Sequence, residues 1–191
     1  LFLFISLLLV FVIQPHSQTI TDIDNNVYGT VTIGTQTWLS ENLKTTKYAN
    51  GTSIPMVASN TDWNSLTSPS YCWFNNDSIS NAKTYGALYN WYAVNNGQLC
   101  PAGWHVPTDM EWTTLTNFLG GANVAGGKLK ETGVEHWRSP NTAATNESGF
   151  TALPGGMRYG NGAYNFIDSS GIWWSSTQQN DINAWYHGVG H

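Results

Sequence analysis

Charge is what this chain has least of. Only 10% of its 191 residues are Asp, Glu, Lys or Arg, against about a quarter in an ordinary globular domain. The seven Lys and Arg form no run, and the formal net charge is −5. A surface for nucleic acid needs a basic patch that displaces counterions from phosphates, so that partner class is excluded. Cysteine is nearly missing as well: there are two, Cys72 and Cys100. Without clustered histidines they make no zinc site of recognised spacing, and sequence alone does not bring the two sulfurs together. Long apolar runs are absent apart from Leu1 to Ile13. That run is too short for a membrane helix, which needs about 20 residues. It suits the hydrophobic region of a signal peptide, and the polar Gln14 to Gln18 suits its flank. Residues 1–17 are therefore read as an N-terminally incomplete signal peptide, with residues 18–191 as one exported domain, extracellular or on the outer cell surface. No cysteine follows the run directly, which argues against a bacterial lipid anchor.

Aromatics are plentiful: 14% of the residues, with 10 Trp. Much of the remaining polarity comes from Gly, Asn, Ser and Thr. Disordered chains have the opposite makeup. The length allows one domain with a sizeable core.

Alternation of Val27, Val31 and Ile33 with Thr30 and Thr32 predicts a half-buried strand, its regularity broken at Tyr28 and Gly29. Asp24-Asn25-Asn26 reads as a hairpin turn and Gly34-Thr35 as a second, leading to a strand over Gln36 to Leu39. Residues 44–70 read as a long ordered loop pinned by Trp63. A first helix is expected over residues 84–95, because Tyr85, Leu88, Tyr89 and Tyr92 share a helical face. A second begins at Thr108-Asp109-Met110-Glu111, a capping box. It carries the stripe Trp112, Leu115, Leu119 and stops at Gly120-Gly121. Beyond Asn123 the expectation is of short strands and turns, Gly126-Gly127 among the turns.

Cys100 to Trp112 is the most specific stretch. It resembles the Fibrobacter succinogenes major paralogous domain, a family of exported bacterial domains. Further ordered matches are Val31 to Trp38 with Glu41 to Lys44, Tyr71 to Asp77, Tyr85 to Tyr92, Gly149 to Arg158 and Gly171 to Thr177. The resemblance runs from about Thr21 to the end. It implies an α+β, C-type-lectin-like mixed fold with two helices, short antiparallel strands and long ordered loops. The family in turn is similar to formylglycine-generating enzymes and to the variable proteins of diversity-generating retroelements. Family members commonly finish with a strand reading roughly Gly-Phe-Ser-Val-Arg-Cys. It has no counterpart here, so the domain is read as truncated at that strand, with a sheet edge or core face left uncovered.

The enzyme branch of this kinship uses a pair of cysteines near its C-terminal end, and no cysteine follows Cys100. Glu131, Glu135 and His136 are close in sequence but read as scattered charge on a solvated loop. His105, lacking any nucleophile motif beside it, reads as a packed histidine bonded to backbone. Catalysis is not expected. Asp22-x-Asp24-x-Asn26 resembles the opening of a calcium loop. The pattern then needs Gly and, at its twelfth position, Glu; the chain has Val27 and Ile33, so a turn is the better reading. Structural calcium elsewhere is left open, with no cofactor and no ligand set assigned.

The aromatics crowd between Arg158 and His187. Neighbours on a strand face opposite ways, so one of Trp173 and Trp174 should face outward, as should one of Trp185 and Tyr186. Rigid rings among adaptable amides form the chemistry of antibody paratopes. In the retroelement proteins this region resembles, it is the diversified ligand face. Arg158, Tyr159, Tyr164, Phe166, Trp174, Gln178 and Tyr186 are the candidate ligand-binding residues. The expected partner is a protein or carbohydrate at the cell surface, met by a non-catalytic binding module. The alternative is a structural or adhesive protein that associates with itself. Each aromatic taken singly reads more plainly as core.

Overall fold

Asp22 organises the first turn. Its Oδ1 accepts from the backbone N–H of Asp24 and of Asn26, both at 2.9 Å, and Asn25 sits at φ 65°. This folds β1 (Thr19–Thr21) onto β2 (Val27–Ile33), and β2 turns at Gly34 into β3 (Gln36–Leu39), an antiparallel meander in that order. The computed structural model describes residues 18–180 and 183–191; the segment read as a signal peptide lies outside the described residues. Along β2 the alternation changes phase. Tyr28 is fully buried and Val27 exposed, because the Tyr28 hydroxyl donates to Asp22 Oδ2 at 2.6 Å and accepts from the Lys44 N–H at 3.1 Å.

The long loop over residues 44–70 carries one short helix, α1 (Asn60–Asn64), capped by the Ser59 side chain, and its Trp63 is buried as expected. The helix expected over 84–95 is not formed. Instead β4 (Tyr71–Cys72) leads through a 3-10 turn (Phe74–Asn76) to α2 (Ser78–Tyr85), then β5 (Leu88–Tyr89) and the one-turn α3 (Trp91–Val94). Gly86, at φ 73°, is the break: a Cβ there would lie 2.6 Å from the Leu43 carbonyl oxygen. Leu88 and Tyr89 pair with Cys72 and Tyr71, and Asn90 caps α3 through its Oδ1, which accepts from the Ala93 N–H.

The capping box at Thr108 forms as read, with Thr108 Oγ1 accepting from the Glu111 N–H at 3.2 Å and Glu111 Oε2 accepting from the Thr108 N–H at 2.7 Å. It opens α4 (Asp109–Phe118), whose stripe Trp112, Leu115 and Leu119 is buried. Gly120-Gly121 ends α4 but starts α5 (Ala122–Leu129). The expected turn at Gly126-Gly127 is thus helix interior. Gly127 serves packing, since a Cβ there would come 2.3 Å from the Ala143 carbonyl oxygen. Two hairpins finish the chain: β6 (Gly155–Arg158) with β7 (Tyr164–Ile167), and β8 (Ser170–Asn180) with β9 (Asn183–Gly190).

Five α-helices and short antiparallel strands thus make a mixed α+β fold, with five helices among the described residues where two were expected. Two apolar cores form. One gathers Ile33, Trp38, Trp112, Leu115, Leu119 and Phe150 between β2–β3 and α4–α5. The other gathers Tyr48, Ile54, Tyr71, Ala93, Val94 and Leu99. Strand β8 serves both, Trp173 packing on the first and Trp174 on the second.

Candidate ligand face and central cleft

Arg158 ends β6 with its side chain turned inward, and it is 8% exposed. Nε donates to the Gly162 carbonyl at 3.0 Å and Nη1 to the Val57 carbonyl at 2.6 Å. Nη2 donates to the Ala58 carbonyl at 2.8 Å and to Asn60 Oδ1 at 2.9 Å. The guanidinium lies 4.4 Å from the Trp63 ring centre and 4.7 Å from that of Tyr164, two cation–π contacts that a desolvated arginine favours. Arg158 ties the long loop to the β6–β7 hairpin and presents nothing outward, which corrects its place among the ligand-binding residues.

Tyr164 belongs with it. It packs between Arg158 and Phe74, and its hydroxyl donates to Asn76 Oδ1 at 2.8 Å. The outward reading of Trp174 is corrected too. The two tryptophans of β8 do face opposite ways, but each side holds a core. Trp174 packs on Trp91 and its indole donates to the Tyr89 carbonyl at 2.8 Å, while the Trp173 indole donates to Asn42 Oδ1 at 2.8 Å. On β9 both rings are exposed, Trp185 by 44% and Tyr186 by 61%, and Tyr186, opposite Trp174 in the ladder, stands at the central cavity. Tyr159 and Phe166 are exposed as expected and meet edge to face, ring centres 6.2 Å apart. Gln178 is exposed, its Nε2 donating to the Asn180 carbonyl at 2.7 Å. The exposed members of the sequence-derived set are therefore Tyr159, Phe166, Gln178 and Tyr186, joined by Trp185.

The groups weighed for catalysis or metal are held by their own chain. His105 is exposed and bonds the Glu111 carboxylate at 2.9 Å, not backbone, because Glu111 is fixed in front of it by the capping box. Glu131 and His136 are hydrogen-bonded at 2.9 Å in a half-buried site, with Glu135 exposed, so this is not a uniformly solvated loop. Burial pushes the Cys100 thiol up to about 12 and raises that of Cys72; both cysteines are free. Among the described residues no three of His, Cys, Asp and Glu converge as a metal site.

The calcium-like segment is a turn that anchors a loop. Asp24 Oδ2 accepts from the Thr46 N–H at 2.6 Å and the Thr46 hydroxyl at 2.9 Å, and Oδ1 meets Lys47 Nζ at 2.8 Å. Burial works to raise the Asp24 pKa, but the Lys47 and Thr46 contacts outweigh it and hold the carboxyl at about 2. A depressed folded pKa adds stability that is complete above the unfolded value near 4 and is lost as pH falls toward 2. Asp24→Asn will remove about 1–2 kcal/mol at pH 7 and flatten the acid limb between those values. Urea titrations across that range will read the difference; parallel curves for both proteins would refute it.

Sequence reasoning missed one feature, a central cavity of about 590 Å³. Its walls come from β3, β6, β8 and the segments around Tyr89 and Trp104, and they include Trp38, Leu39, Val106, Trp112 and Trp173. Buried Gln36 Oε1 and Trp38 Nε1 have no hydrogen-bond partner among the described residues. The lining residues lie far apart in sequence; the dispersed tryptophans were the available signal. No described helix is long and apolar enough to cross a membrane.

Among curated proteins and among solved structures nothing matches this chain. Residues 31–190 match the Fibrobacter succinogenes major domain. The matched span covers β3 to β9 and the end of β2 from Val31, including the capping box, the Arg158 anchor and both hairpins. The chain belongs to the Fibrobacter succinogenes major domain family.

Proposed function

We propose that this domain is an exported, C-type-lectin-like, non-catalytic recognition module for a protein or carbohydrate at the cell surface. The observation that carries the reading is the exposed pair Trp185 and Tyr186 on β9, the second at the mouth of the central cavity. Two consecutive large aromatics on one strand normally divide between core and solvent, and leaving both in water forgoes about 1.5–3 kcal/mol of burial for each. Tyr159 and Phe166 repeat the pattern on the neighbouring hairpin. Phe166 also keeps a left-handed φ of 65°, a conformation that costs an ordinary side chain about 1–3 kcal/mol. Gln178 and Asn183 add neutral donors and acceptors beside the rings. Low charge suits a face that recognises by stacking and neutral hydrogen bonds.

A glycan array and a surface-protein pull-down test this reading. The triple variant Tyr159→Ala, Trp185→Ala, Tyr186→Ala will fold with its midpoint nearly unchanged, since the three rings are exposed, and will lose at least about tenfold in capture. Equal capture by the two proteins would remove the face. Large concentration-dependent assemblies without any capture would favour the self-associating surface protein instead.

A further inference from the structure

Arg158 is a buried charge with no counter-ion. Among the described residues no Asp or Glu lies within ion-pair distance of its guanidinium. Its partners are the carbonyls of Val57, Ala58 and Gly162 and the Asn60 amide oxygen, all neutral. Asp62 is the nearest acid along the chain to Asn60, and residues two apart on a helix do not face each other. A poorly solvated charge is felt more strongly than one in water. The surface over Arg158 therefore carries a positive field, in a chain whose net charge is −5.

Three exposed asparagines border that surface, each tied to the Arg158 network. Asn60 Oδ1 accepts from Arg158 Nη2 at 2.9 Å. Asn76 Oδ1 accepts from the Tyr164 hydroxyl at 2.8 Å, and its Nδ2 donates at 3.1 Å to the Ala58 carbonyl that Arg158 also holds. Asn161 precedes Gly162, whose carbonyl takes Arg158 Nε and where a Cβ would lie 2.7 Å from Asn60 Cα. Asn161 Oδ1 accepts from the Ala163 N–H at 3.0 Å. With each oxygen already accepting, these amides offer solvent their N–H groups: both hydrogens of Asn60 and of Asn161, and one of Asn76. Among the described residues nothing accepts those outward hydrogens. Asn60 is the strongest donor, because a hydrogen bond from a cation to its oxygen polarises its NH2 group. Tyr159 opens the turn that carries Asn161, its carbonyl accepting from the Gly162 N–H at 2.9 Å, and its ring stays exposed beside that turn.

A ligand that answers neutral donors over a buried cation is rich in acceptors and negatively charged. An acidic sugar is both. Its hydroxyl and ring oxygens take amide hydrogens, its acid group meets the field, and its C–H face lies on an exposed aromatic ring. We infer that the surface formed by Asn60, Asn76, Asn161 and Tyr159 over Arg158 binds a carboxylated or sulfated sugar. Arg158 stays beneath and touches no ligand; it sets the sign of charge that is accepted and strengthens the Asn60 donors. The inference rests on the recognition reading above and narrows its ligand to an acidic saccharide.

Calorimetry on the whole protein tests this with oligogalacturonate and with a sulfated galactan oligomer. Methyl-esterified galacturonate is the uncharged copy, and oligoglutamate is the peptide of like charge. At least one acidic saccharide will bind at least about tenfold more tightly than the ester and the peptide. Its affinity will fall as salt is raised, and that of the ester will not. The tighter of the two names the acid group. Asn60→Asp keeps an oxygen for Arg158 but neutralises its charge and sets a carboxylate oxygen where the outward donors were. Its melting midpoint will be no lower than that of the unchanged protein, since the new bond is charge-assisted. Its affinity for the acidic sugar will fall by at least about tenfold. Equal binding of acid and ester, equal binding of oligoglutamate, or undiminished affinity in the Asn60→Asp variant would overturn the inference, as would no binding of either acidic sugar. If the array or pull-down then still captures a ligand through Trp185 and Tyr186, the recognition reading stands without this site; capture of nothing removes both.

Discussion

Trp112→Ala will cost the domain about 4 kcal/mol of stability, the upper range for truncating a buried aromatic. Trp112 is 5% exposed and stands where four rings converge. Trp38 lies 4.8 Å away, Trp173 6.1 Å and Phe150 6.2 Å, and His187 stacks on it at 5.2 Å with planes 21° apart. No neighbouring side chain can collapse into the hole, because Trp38 and Trp173 are fixed to different strands. The total stability of a domain is about 5–15 kcal/mol, so the loss is a large share of it. The melting midpoint will fall by about 10 °C at this chain length. Trp112→Phe keeps most of the ring contacts and will lose about 1–2 kcal/mol. Urea titration reads both effects, provided the slope is unchanged. A loss below about 1 kcal/mol in the alanine variant would mean that the aromatic cluster does not hold α4 to the two strands.

Arg158→Ala will cost about 3–4 kcal/mol, by a different route. It strands three acceptors, the carbonyls of Val57 and Gly162 and the Asn60 Oδ1, and leaves the Ala58 carbonyl with the Asn76 amide alone, at 3.1 Å. It also leaves Trp63 and Tyr164 facing a void where the guanidinium lay. Arg158→Lys will recover less than half. An ammonium has three donors on a point and cannot match a planar fork aimed at four fixed oxygens. The two variants also differ from Trp112→Ala in where the damage appears. Hydrogen exchange will quicken first at residues 57–63, which Arg158 holds, with α4 still protected. Uniform exchange throughout would show that the loop and hairpin do not open as a separate unit.

Local chemistry in the sequence determined the elements that need only near neighbours. Thr108 and Glu111 satisfy each other's N–H groups three residues apart, so the start of α4 was legible, as was the stripe behind it. Asp22 and Asn26 close the first turn within five residues, and Trp63 stood out as the one tryptophan in a polar loop. The ordered motifs from Val31 to Thr177 were enough to indicate the family. Tertiary structure decided the rest, because the determining partners are distant in sequence. The helical spacing of Tyr85, Leu88, Tyr89 and Tyr92 is real, but Leu43 closes on Gly86, and Tyr71 and Cys72 claim the two central residues as a strand. Gly126 and Gly127 look like a turn until the Ala143 backbone closes on Gly127, which is then the residue a close-packed helix requires. Arg158 reads as an exposed cation until Val57, Ala58 and Asn60, about a hundred residues earlier, take its donors. Alternation predicted that Trp173 and Trp174 diverge; only the placement of a second core behind β8 decided that both are packed and that the exposed rings belong to β9.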